Sequence, residues 1–243
     1  MQLLKPLHFR PLISTLLLLA LSSTLAALEL KPSVTQYTAS FENGIPISGT
    51  ATHTLVQLSN KIWRYQFNVD SFLAEINESV YFQWNGEKVI PITYHFKRSG
   101  WAVTNRRATL EFNWKEHKVL NDVQGIPWSM VIPEGAIDKL GYQLQLRLDL
   151  KAGKHDLRYQ VADGGYLKEF SFERQGEELL STELGSVTAI IVKKVRTESD
   201  KRESILWFAK EWDYLLVKLT QVESDGERYE INLKSTDASE PKL

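Results

Sequence analysis

The chain has 243 residues, with 29 Lys and Arg against 30 Asp and Glu, and its formal net charge is −1. This balance, without a basic cluster, argues against a nucleic-acid-binding protein. The sequence contains no cysteine, which excludes disulfides, cysteine-ligated metals and a lipid attached through a thioether.

The first residues have the pattern of a secretory signal peptide. Lys5 and Arg10 precede an apolar run over residues 12–21, and small residues stand at positions −3 and −1 of a cut after Ala26. The run is shorter than the about 20 residues of a typical spanning helix. We therefore predict a cleaved signal peptide over residues 1–26, and no transmembrane segment after its removal.

Alternation of polar and apolar residues dominates the rest of the chain and predicts antiparallel strands. Turn signals such as Asn85-Gly86 separate these strands, and neither a linker nor a repeat is present. We predict a single β-rich domain over residues 27–235 and a disordered polar tail at 236–243. The predicted strands are residues 34–42, 46–58, 61–70, 77–84, 88–97, 103–114, 155–162, 165–173, 185–196, 203–209, 214–223 and 227–234.

One predicted hairpin turns at Asp163-Gly164 through a two-residue loop. This register sets Tyr159 opposite Lys168 on a face that is otherwise apolar. On the other face it pairs Arg158 with Glu169. The apolar residues are thus collected on one side of the hairpin, as a half-buried sheet requires.

The C-terminal hairpin indicates a longer loop. A two-residue turn would place Leu219 opposite Asn232, an apolar residue opposite a polar one. A three-residue loop over residues 224–226, with Gly226 in a left-handed conformation, places Leu219 opposite Ile231 instead. We therefore predict the three-residue loop.

Two strands are apolar on both faces, residues 187–192 and 205–208. Such strands are covered on both sides, and residues 133–150 are the best candidate for the cover. Leucines recur there at helical spacing and also alternate as in a strand. Pro133 suits the start of a helix, and the KAGK sequence that follows residue 150 suits its end, so we favour a helix. We predict a mainly β fold, with one large curved antiparallel sheet or half-barrel wrapped on a helix.

A family resemblance rests on three stretches: GIPWSMVIPEGAIDKLGYQLQLRLDL, LRYQVADGGYLKEFSFERQGEELLSTELGSV and ESILWFAKEWDYLLVKLTQVESDGERYEINL. In order and spacing they resemble the exported bacterial proteins grouped as domain of unknown function 3108. The resemblance covers about Tyr37 to Leu233 and implies a Gram-negative periplasmic protein. It transfers no catalytic residue, because the family has no assigned activity. The strand pattern is also similar, at fold level only, to the half-barrel of periplasmic lipoprotein carriers.

Lys168 is the most unusual residue of the predicted apolar face. If that face lines a cavity, its ammonium group would meet a lipid phosphate or carboxylate, or stack on a ring. The alternative is that it extends to the sheet edge and only its stem packs. The candidate ligand-binding residues are Tyr159, Tyr166, Lys168, Phe170, Trp128 and Trp207.

Other polar residues give weaker signals. Asp138 and Arg147 lie in the predicted helix, where we favour a structural role that fixes the helix on the sheet over a place at a pocket mouth. The histidines stand singly, without zinc spacing, and no nucleophile motif is present. We predict no metal, no cofactor and no catalytic residue, although a dispersed Ser/His/Asp triad or carboxylate pair stays open.

Several tryptophans adjoin predicted turns, where core packing explains them less readily. They are Trp84, Trp101 and Trp212. A rim of such rings is suited to a membrane headgroup layer, a glycan or a partner protein. The alternative is that they fill the core of a curved sheet.

We therefore expect a non-catalytic periplasmic protein that binds or carries an apolar or amphiphilic envelope ligand. This function predicts a hollow between helix and sheet. The first alternative is an accessory or structural protein of envelope assembly that acts through a protein partner, with a filled core and an exposed aromatic patch. The second is an envelope-polymer hydrolase, with a polar cleft and at least two convergent titratable groups.

Overall fold

The fold is known from a computed structural model that describes residues 28–43, 45–101, 103–197 and 202–238. The predicted signal peptide lies outside these residues. The described strands are β1 (Ser33–Asn43), β2 (Ile45–Ser59), β3 (Ile62–Ser71), β4 (Glu75–Trp84), β5 (Val89–Ser99), β6 (Arg106–Asn113), β7 (Lys118–Val123), β8 (Ile126–Val131), β9 (Ile137–Asp138), β10 (Arg158–Asp163), β11 (Tyr166–Thr182), β12 (Gly185–Lys194), β13 (Glu203–Ala209), β14 (Leu215–Val222) and β15 (Arg228–Thr236), and the helix is α1 (Gly141–Lys151).

The described strands form one sheet, in the order β8-β7-β6-β5-β4-β3-β2-β1-β15-β14-β13-β12-β11-β10-β9. Neighbours are antiparallel except β9 and β10, which are parallel. The sheet is not closed into a barrel by hydrogen bonds, because β8 and β9 remain its two ends. The prediction of one large, mainly antiparallel sheet around a helix is confirmed.

The last described residues belong to the sheet. β15 reaches Thr236, which is paired with Thr35 of β1. The carboxylate of Asp237 accepts a hydrogen bond from the Val34 N–H at 2.6 Å. Strand β15 thus includes Thr236, the first residue of the predicted tail.

The predicted helix is confirmed, but its predicted start near Pro133 is wrong. Residues 137–138 form β9 instead, and α1 begins at Gly141. The Oδ1 atom of Asp138 explains this start, because it accepts the N–H groups of Leu140 at 2.9 Å and Gly141 at 2.7 Å. Such an acceptor satisfies donors that the first helical turn leaves free.

Helix α1 is buried on nearly all sides, because the sheet curves around it. Its buried leucines are Leu144, Leu146, Leu148 and Leu150, with Leu140 just before it. Burying each such side chain stabilises the fold by about 1.5–3 kcal/mol. Within the described residues, no helix has the length and apolar character that crossing a membrane requires.

The strands that the sequence indicated as covered on both faces are buried. Ile190 of β12 is 5% exposed and Trp207 of β13 is 9% exposed. Because successive strand residues point to opposite faces, Leu206, which is 1% exposed, lies on the face opposite Trp207. The prediction for these strands is confirmed.

The C-terminal hairpin has the predicted register. Leu219 is opposite Ile231, and Gly226 has a φ of 93° in the loop. The Glu223 N–H donates to the Glu227 carbonyl at 2.8 Å, which closes a three-residue loop between them. Leu219 is half-buried, while Ile231 is 7% exposed.

The register predicted for the β10–β11 hairpin is wrong. The turn is Gly164-Gly165, and Tyr159 is opposite Phe170 rather than Lys168. Both glycines have positive φ values, 55° and 102°, which suits the left-handed positions of a tight hairpin turn. Relative to the prediction, the partner of each residue is shifted by two positions. Because side-chain orientation along a strand repeats every two residues, the apolar residues still share one face.

The predicted charge pair across this hairpin is also absent from the described contacts. Arg158 is opposite Ser171. Its guanidinium group pairs with Asp156, at 2.7 Å and 2.8 Å. The side chain of Glu169 instead accepts a hydrogen bond from Gln160, its direct neighbour across the two strands.

The two ends of the sheet meet through side chains. The Trp128 ring of β8 lies on Gly165, where an added Cβ atom would be 1.7 Å from a ring carbon. β9 lies against β5, and the Lys139 ammonium group stands 5.9 Å from the centre of the Phe96 ring. Contacts of this kind make the open sheet barrel-like.

We predict that Gly165→Ala lowers the free energy of unfolding by about 2–5 kcal/mol, since it adds backbone strain and a clash with Trp128. Gly185→Ala is the matched control, because Gly185 has a φ of 109° and no atom within 4 Å of an added Cβ. The control should lose only about 1–2 kcal/mol. Urea unfolding measures both values.

A double-mutant cycle separates the clash with the Trp128 ring from the backbone strain at residue 165. Adding Trp128→Ala should relieve the clash, so the double variant should be less destabilised than the sum of its single variants by about 1–3 kcal/mol. Strict additivity would contradict the contact between β8 and the β10–β11 turn.

Candidate functional site

A small, partly enclosed cavity lies between α1 and the strands β1, β2, β3, β13 and β14. Its volume is about 20 Å³, which is enough for about one water-sized group. The lining residues are Ser33, Thr35, Tyr37, His53, Leu55, Tyr65, Gln143, Arg147, Phe208, Leu215 and Leu216.

His53 stands among aromatic rings. The centre of its imidazole ring is 5.3 Å from that of Tyr37, 5.1 Å from that of Tyr65 and 4.5 Å from that of Phe67. The side chain is buried, with the residue 6% exposed. Burial, assisted by the nearby Arg147 charge, lowers the pKa of His53 to about 3. His53 is therefore neutral at pH 7.

One nitrogen of His53 remains without a partner. The Tyr37 hydroxyl donates to the Leu216 carbonyl at 3.0 Å, so its oxygen is free to accept from His53 Nδ1–H at 3.4 Å. In this tautomer Nε2 is a lone-pair acceptor. It is buried and has no hydrogen-bond partner within the described part of the chain. A buried acceptor of this kind favours a group that donates a hydrogen bond.

Arg147 brings positive charge to the cavity from α1. Its Nε atom donates to the Asp213 carbonyl at 3.0 Å, and its Nη2 atom is 3.5 Å from the Asp213 carboxylate. The same carboxylate pairs with Lys151 at 2.5 Å. Two cations thus share one anion, which leaves an excess of positive charge beside the cavity.

A second polar cluster lies where β9 meets β4 and β5. The Tyr94 hydroxyl donates to the Glu78 carboxylate at 2.5 Å. Burial raises the pKa of Glu78 and raises the pKa of Asp138 to about 7, although the N–H groups of Gly141 and Leu140 oppose the latter shift. Asp138 is 0% exposed, and its Oδ2 atom has no partner among the described residues. Because Asp138 starts α1, its present role is structural.

Lys139 and Asp163 connect this cluster to the β10–β11 turn. Burial alone would raise the pKa of Asp163, but the Lys139 and Lys168 charges outweigh burial and hold that pKa below its usual value. The Lys139–Asp163 distance is 3.6 Å. Neither residue lines the cavity beside Arg147.

Two of the predicted ligand-binding residues are part of the core. Tyr159 and Phe170 are each 8% exposed and lie opposite each other. The Tyr159 hydroxyl donates to Asp149 of α1 at 2.9 Å. The Tyr142 ring of α1 packs edge-on against Phe170, with 5.3 Å between ring centres. These rings hold the helix on the sheet.

Three more of the predicted residues meet near the β10–β11 turn. Lys168 forms an ion pair with Asp163 at 2.8 Å, and half of its side chain is exposed. Its ammonium group thus lies beside the hairpin turn and away from the core, which agrees with the alternative considered from the sequence. Tyr166 is 70% exposed, and Trp128 covers Gly165. They surround the turn rather than a cavity.

Trp207 lies apart from the other predicted residues. It is on the face of the sheet opposite Tyr159, as the strand registers require. Its Nε1–H group donates to Glu178 at 2.8 Å, and the Lys218 ammonium group is 5.0 Å from the centre of a Trp207 ring. The ligand role predicted for the six residues together remains a prediction.

Of the residues that meet at the cavity, Arg147 was considered from the sequence, whereas Tyr37, His53 and Tyr65 were not. Tyr37, His53 and Tyr65 come from three strands and Arg147 from the helix. Arg147 has both roles considered for it, since it binds Asp213 and lines the cavity. One signal was available, because His53 falls on the buried face of β2 between Ala51 and Leu55.

The tryptophans near turns have different environments. Trp84 donates its indole N–H to the Leu28 carbonyl at 3.1 Å and packs against the core. Trp212 is 8% exposed and belongs to the core, whereas Trp101 is 74% exposed. Of the three tryptophans, Trp101 is therefore the one that is exposed as the predicted rim requires.

The fold and site define a class: a barrel-like β domain with a filled centre and a small half-polar cavity beside its helix. Over residues 36–234 the chain matches the family model described as "Protein of unknown function (DUF3108)", and it belongs to this family. No curated protein matches the chain. Among the described residues, no group of three or more His, Asp or Glu side chains is placed to hold a metal ion.

A solved structure with a similar fold is the beta-barrel-like protein of domain of unknown function DUF1849 from Brucella abortus. Its TM-score is 0.62 at 8% identity, over 88% of this chain and 100% of that chain. At this identity the likeness establishes the fold alone.

Two further structures have TM-scores of 0.25, too low to carry an argument. One is a putative outer membrane lipoprotein-sorting protein domain from Vibrio parahaemolyticus, at 8% identity over 84% of both chains. The other is a DUF1329 family protein from Desulfovibrio piger ATCC 29098, at 10% identity over 86% of this chain and 85% of that chain. The likeness to lipoprotein carriers therefore remains a matter of strand pattern.

Asp138→Asn tests the burial of this carboxyl group. The folded protein binds a proton at Asp138 up to about pH 7, whereas an unfolded chain releases it near pH 4, so this group destabilises the fold as pH rises between these values. Asn keeps the oxygen that accepts the two N–H groups and removes the titration. The difference in unfolding free energy, Asn variant minus wild type, should rise by on the order of 4 kcal/mol from pH 4 to pH 8.

The difference between the variant and the wild type is needed because the titration of His53 changes the unfolding free energy with pH in the opposite direction. Its folded pKa of about 3 lies below the unfolded value, so its contribution to stability is lost as pH falls from about 6.5. Urea unfolding at several pH values measures both curves. A difference that stays flat would contradict the raised pKa of Asp138.

Proposed function

We propose that this protein is a non-catalytic binding protein of the cell envelope whose ligand is an amphiphile with an anionic head. The signal-peptide pattern supports export, and it lies outside the described residues. The observation that carries the binding proposal is the cavity itself. It joins the Arg147 charge to a buried, unpartnered acceptor on His53.

The two sides of the cavity suit the two parts of an amphiphile. The polar side offers the Arg147 guanidinium group, His53 Nε2 and the Tyr65 phenol. A phosphate monoester fits this side, because it carries negative charge and also a hydroxyl group that donates to His53. The apolar lining is Leu55, Phe208, Leu215 and Leu216.

The size of the cavity limits what enters it. A volume of about 20 Å³ receives part of a head group and no hydrocarbon chain. The hollow that the carrier function predicted between helix and sheet is wrong for the described residues, because the leucines of α1 fill this space. In this proposal the hydrocarbon chain therefore stays at the cavity mouth, and the head group supplies the specificity.

A second candidate function is contact with an envelope protein, and the end strand β8 favours it. Ile126 and Val131 of this strand are 67% and 72% exposed, and one edge of β8 has no neighbouring strand among the described residues. Such edges readily accept another strand. Crosslinking from a position in β8 would identify this partner.

We predict that the mature protein binds dodecyl phosphate below its micelle concentration, as measured by isothermal titration calorimetry. Dodecanol, which lacks the anion, and inorganic phosphate, which lacks the chain, should each bind at least about tenfold more weakly. Removing the Arg147 charge by Arg147→Gln should weaken dodecyl phosphate binding by about ten- to a hundredfold, the range of a hydrogen bond to a charged group.

Lys151→Gln is the matched control, because Lys151 also pairs with Asp213 but does not line the cavity. It should change the affinity by no more than about threefold, as expected for a partly exposed ion pair. Equal losses in both variants, or equal binding of dodecanol, would contradict an anion site at Arg147.

A further inference from the structure

We propose that the hairpin ends formed by residues 71–74, 97–101 and 103–107 dock on an anionic lipid surface. This inference goes beyond the cavity and does not depend on it. It rests on two neighbouring features of the same end of the sheet, an exposed aromatic pair and a group of four cations.

The aromatic pair is exposed and held in place. Phe72 is 85% exposed and Trp101 is 74% exposed. Their rings meet edge to face, with 6.0 Å between centres. The Trp101 indole N–H donates to the Phe72 carbonyl at 3.1 Å. We call this pair the aromatic tip.

The backbone beneath the aromatic tip joins the two hairpins closely. An added Cβ atom on Gly100 would lie 2.3 Å from the Leu73 carbonyl oxygen and 2.7 Å from the Ala74 Cα atom. The Ser71 hydroxyl donates to the Ala74 carbonyl at 2.9 Å. These backbone contacts hold the tip in place, and its two large rings face water instead of the core.

Four cations stand behind the tip on β5 and β6. Lys97 is opposite Arg107, and Arg98 is opposite Arg106. Like charges directly opposite each other destabilise a sheet. Since no carboxylate among the described residues lies within 4 Å of any of these four cations, no internal ion pair offsets this repulsion.

Acids also lie near these cations, including Glu223 and Glu227, which like Arg98 influence the pKa of Tyr229. Asp70 and Glu75 end the neighbouring strands on the same side, and Asp163 lies close enough to Arg106 for that charge to lower its pKa. Lys139 and Lys168 already pair with Asp163. The sequence analysis found no basic cluster, because only the hairpin brings the two pairs of cations together.

Aromatic and basic residues together fit the boundary of an anionic bilayer. Trp and Phe rings enter the headgroup layer, and Lys or Arg near an anionic surface is attracted to it over about one Debye length. At about 3.3 Å per residue, Arg98 is within about 10 Å of Trp101 along the chain. Because successive strand residues point to opposite faces, Lys97 and Arg107 lie on one face of the hairpin and Arg98 and Arg106 on the other. The cations therefore flank the sheet end that carries the tip on both faces.

Vesicle sedimentation with the mature full-length protein tests this proposal. Vesicles of phosphatidylglycerol and phosphatidylethanolamine should bind the protein, and phosphatidylcholine vesicles should bind it at least about tenfold more weakly. Lys97→Gln with Arg107→Gln should weaken binding about 25-fold, since each cation contributes about fivefold. Phe72→Ser with Trp101→Ser should weaken it about tenfold.

Matched controls come from the same molecule. Lys115→Gln with Lys118→Gln removes two exposed cations at the opposite end of β6, and Leu179→Ser removes a side chain that is 71% exposed elsewhere. These variants should bind as the wild type does. All variants should keep the wild-type unfolding free energy and the wild-type affinity for dodecyl phosphate. A loss of vesicle binding is therefore distinct from a loss of ligand binding at the cavity.

Several outcomes would overturn the proposal. They are no vesicle binding, equal binding to neutral vesicles, or equal losses in the tip and control variants. The alternative is that a second copy of the chain covers the aromatic tip. Analytical ultracentrifugation detects such a dimer. A dimer that is lost with Phe72→Ser and Trp101→Ser would assign the tip to self-association and contradict lipid docking.

Discussion

The burial of α1 inside the curved sheet is the constraint on which the other features depend. The helix presents leucines on nearly all its sides, so a flat sheet would leave part of it in water. Curvature covers these leucines and brings β9 against β5 and Trp128 onto Gly165. The cavity beside Arg147 is where this packing is incomplete. The filled centre and the small site therefore have one cause.

Burying a helix so completely also buries its polar side chains, and each needs a partner. Gln145 accepts the Val89 N–H at 2.8 Å and donates to the Glu87 carbonyl at 3.0 Å, which satisfies backbone groups at the start of β5. Asp149 accepts from Gln145, Tyr159 and Lys154. This network fixes the rotation of α1, because turning the helix would leave a buried charge unpaired. Arg147 is thereby held towards the cavity.

The sequence predicts what depends on local alternation. Strand positions, the faces of the β10–β11 hairpin and the register of the C-terminal hairpin follow from period two and from glycine. It does not predict β7 and β8, because they are six residues each and turn at Gln124-Gly125, where glutamine adopts a φ of 57°. The register at Gly164-Gly165 was missed because Asp163-Gly164 is an equally good local turn signal, and only the structure shows positive φ values at both glycines. The cavity depends on contacts between strands and a helix far apart in sequence, so no spacing reveals it.

The electrostatics of the cavity favour binding over acid–base chemistry. A histidine with a pKa of about 3 is a weak base and stays neutral across the physiological range, whereas a general base is most effective with a pKa near the working pH. Arg147 is held in place by Asp213. The site thus presents a fixed cation beside a fixed neutral acceptor. In the binding function proposed above, this pair selects a head group that is anionic and that also donates a hydrogen bond.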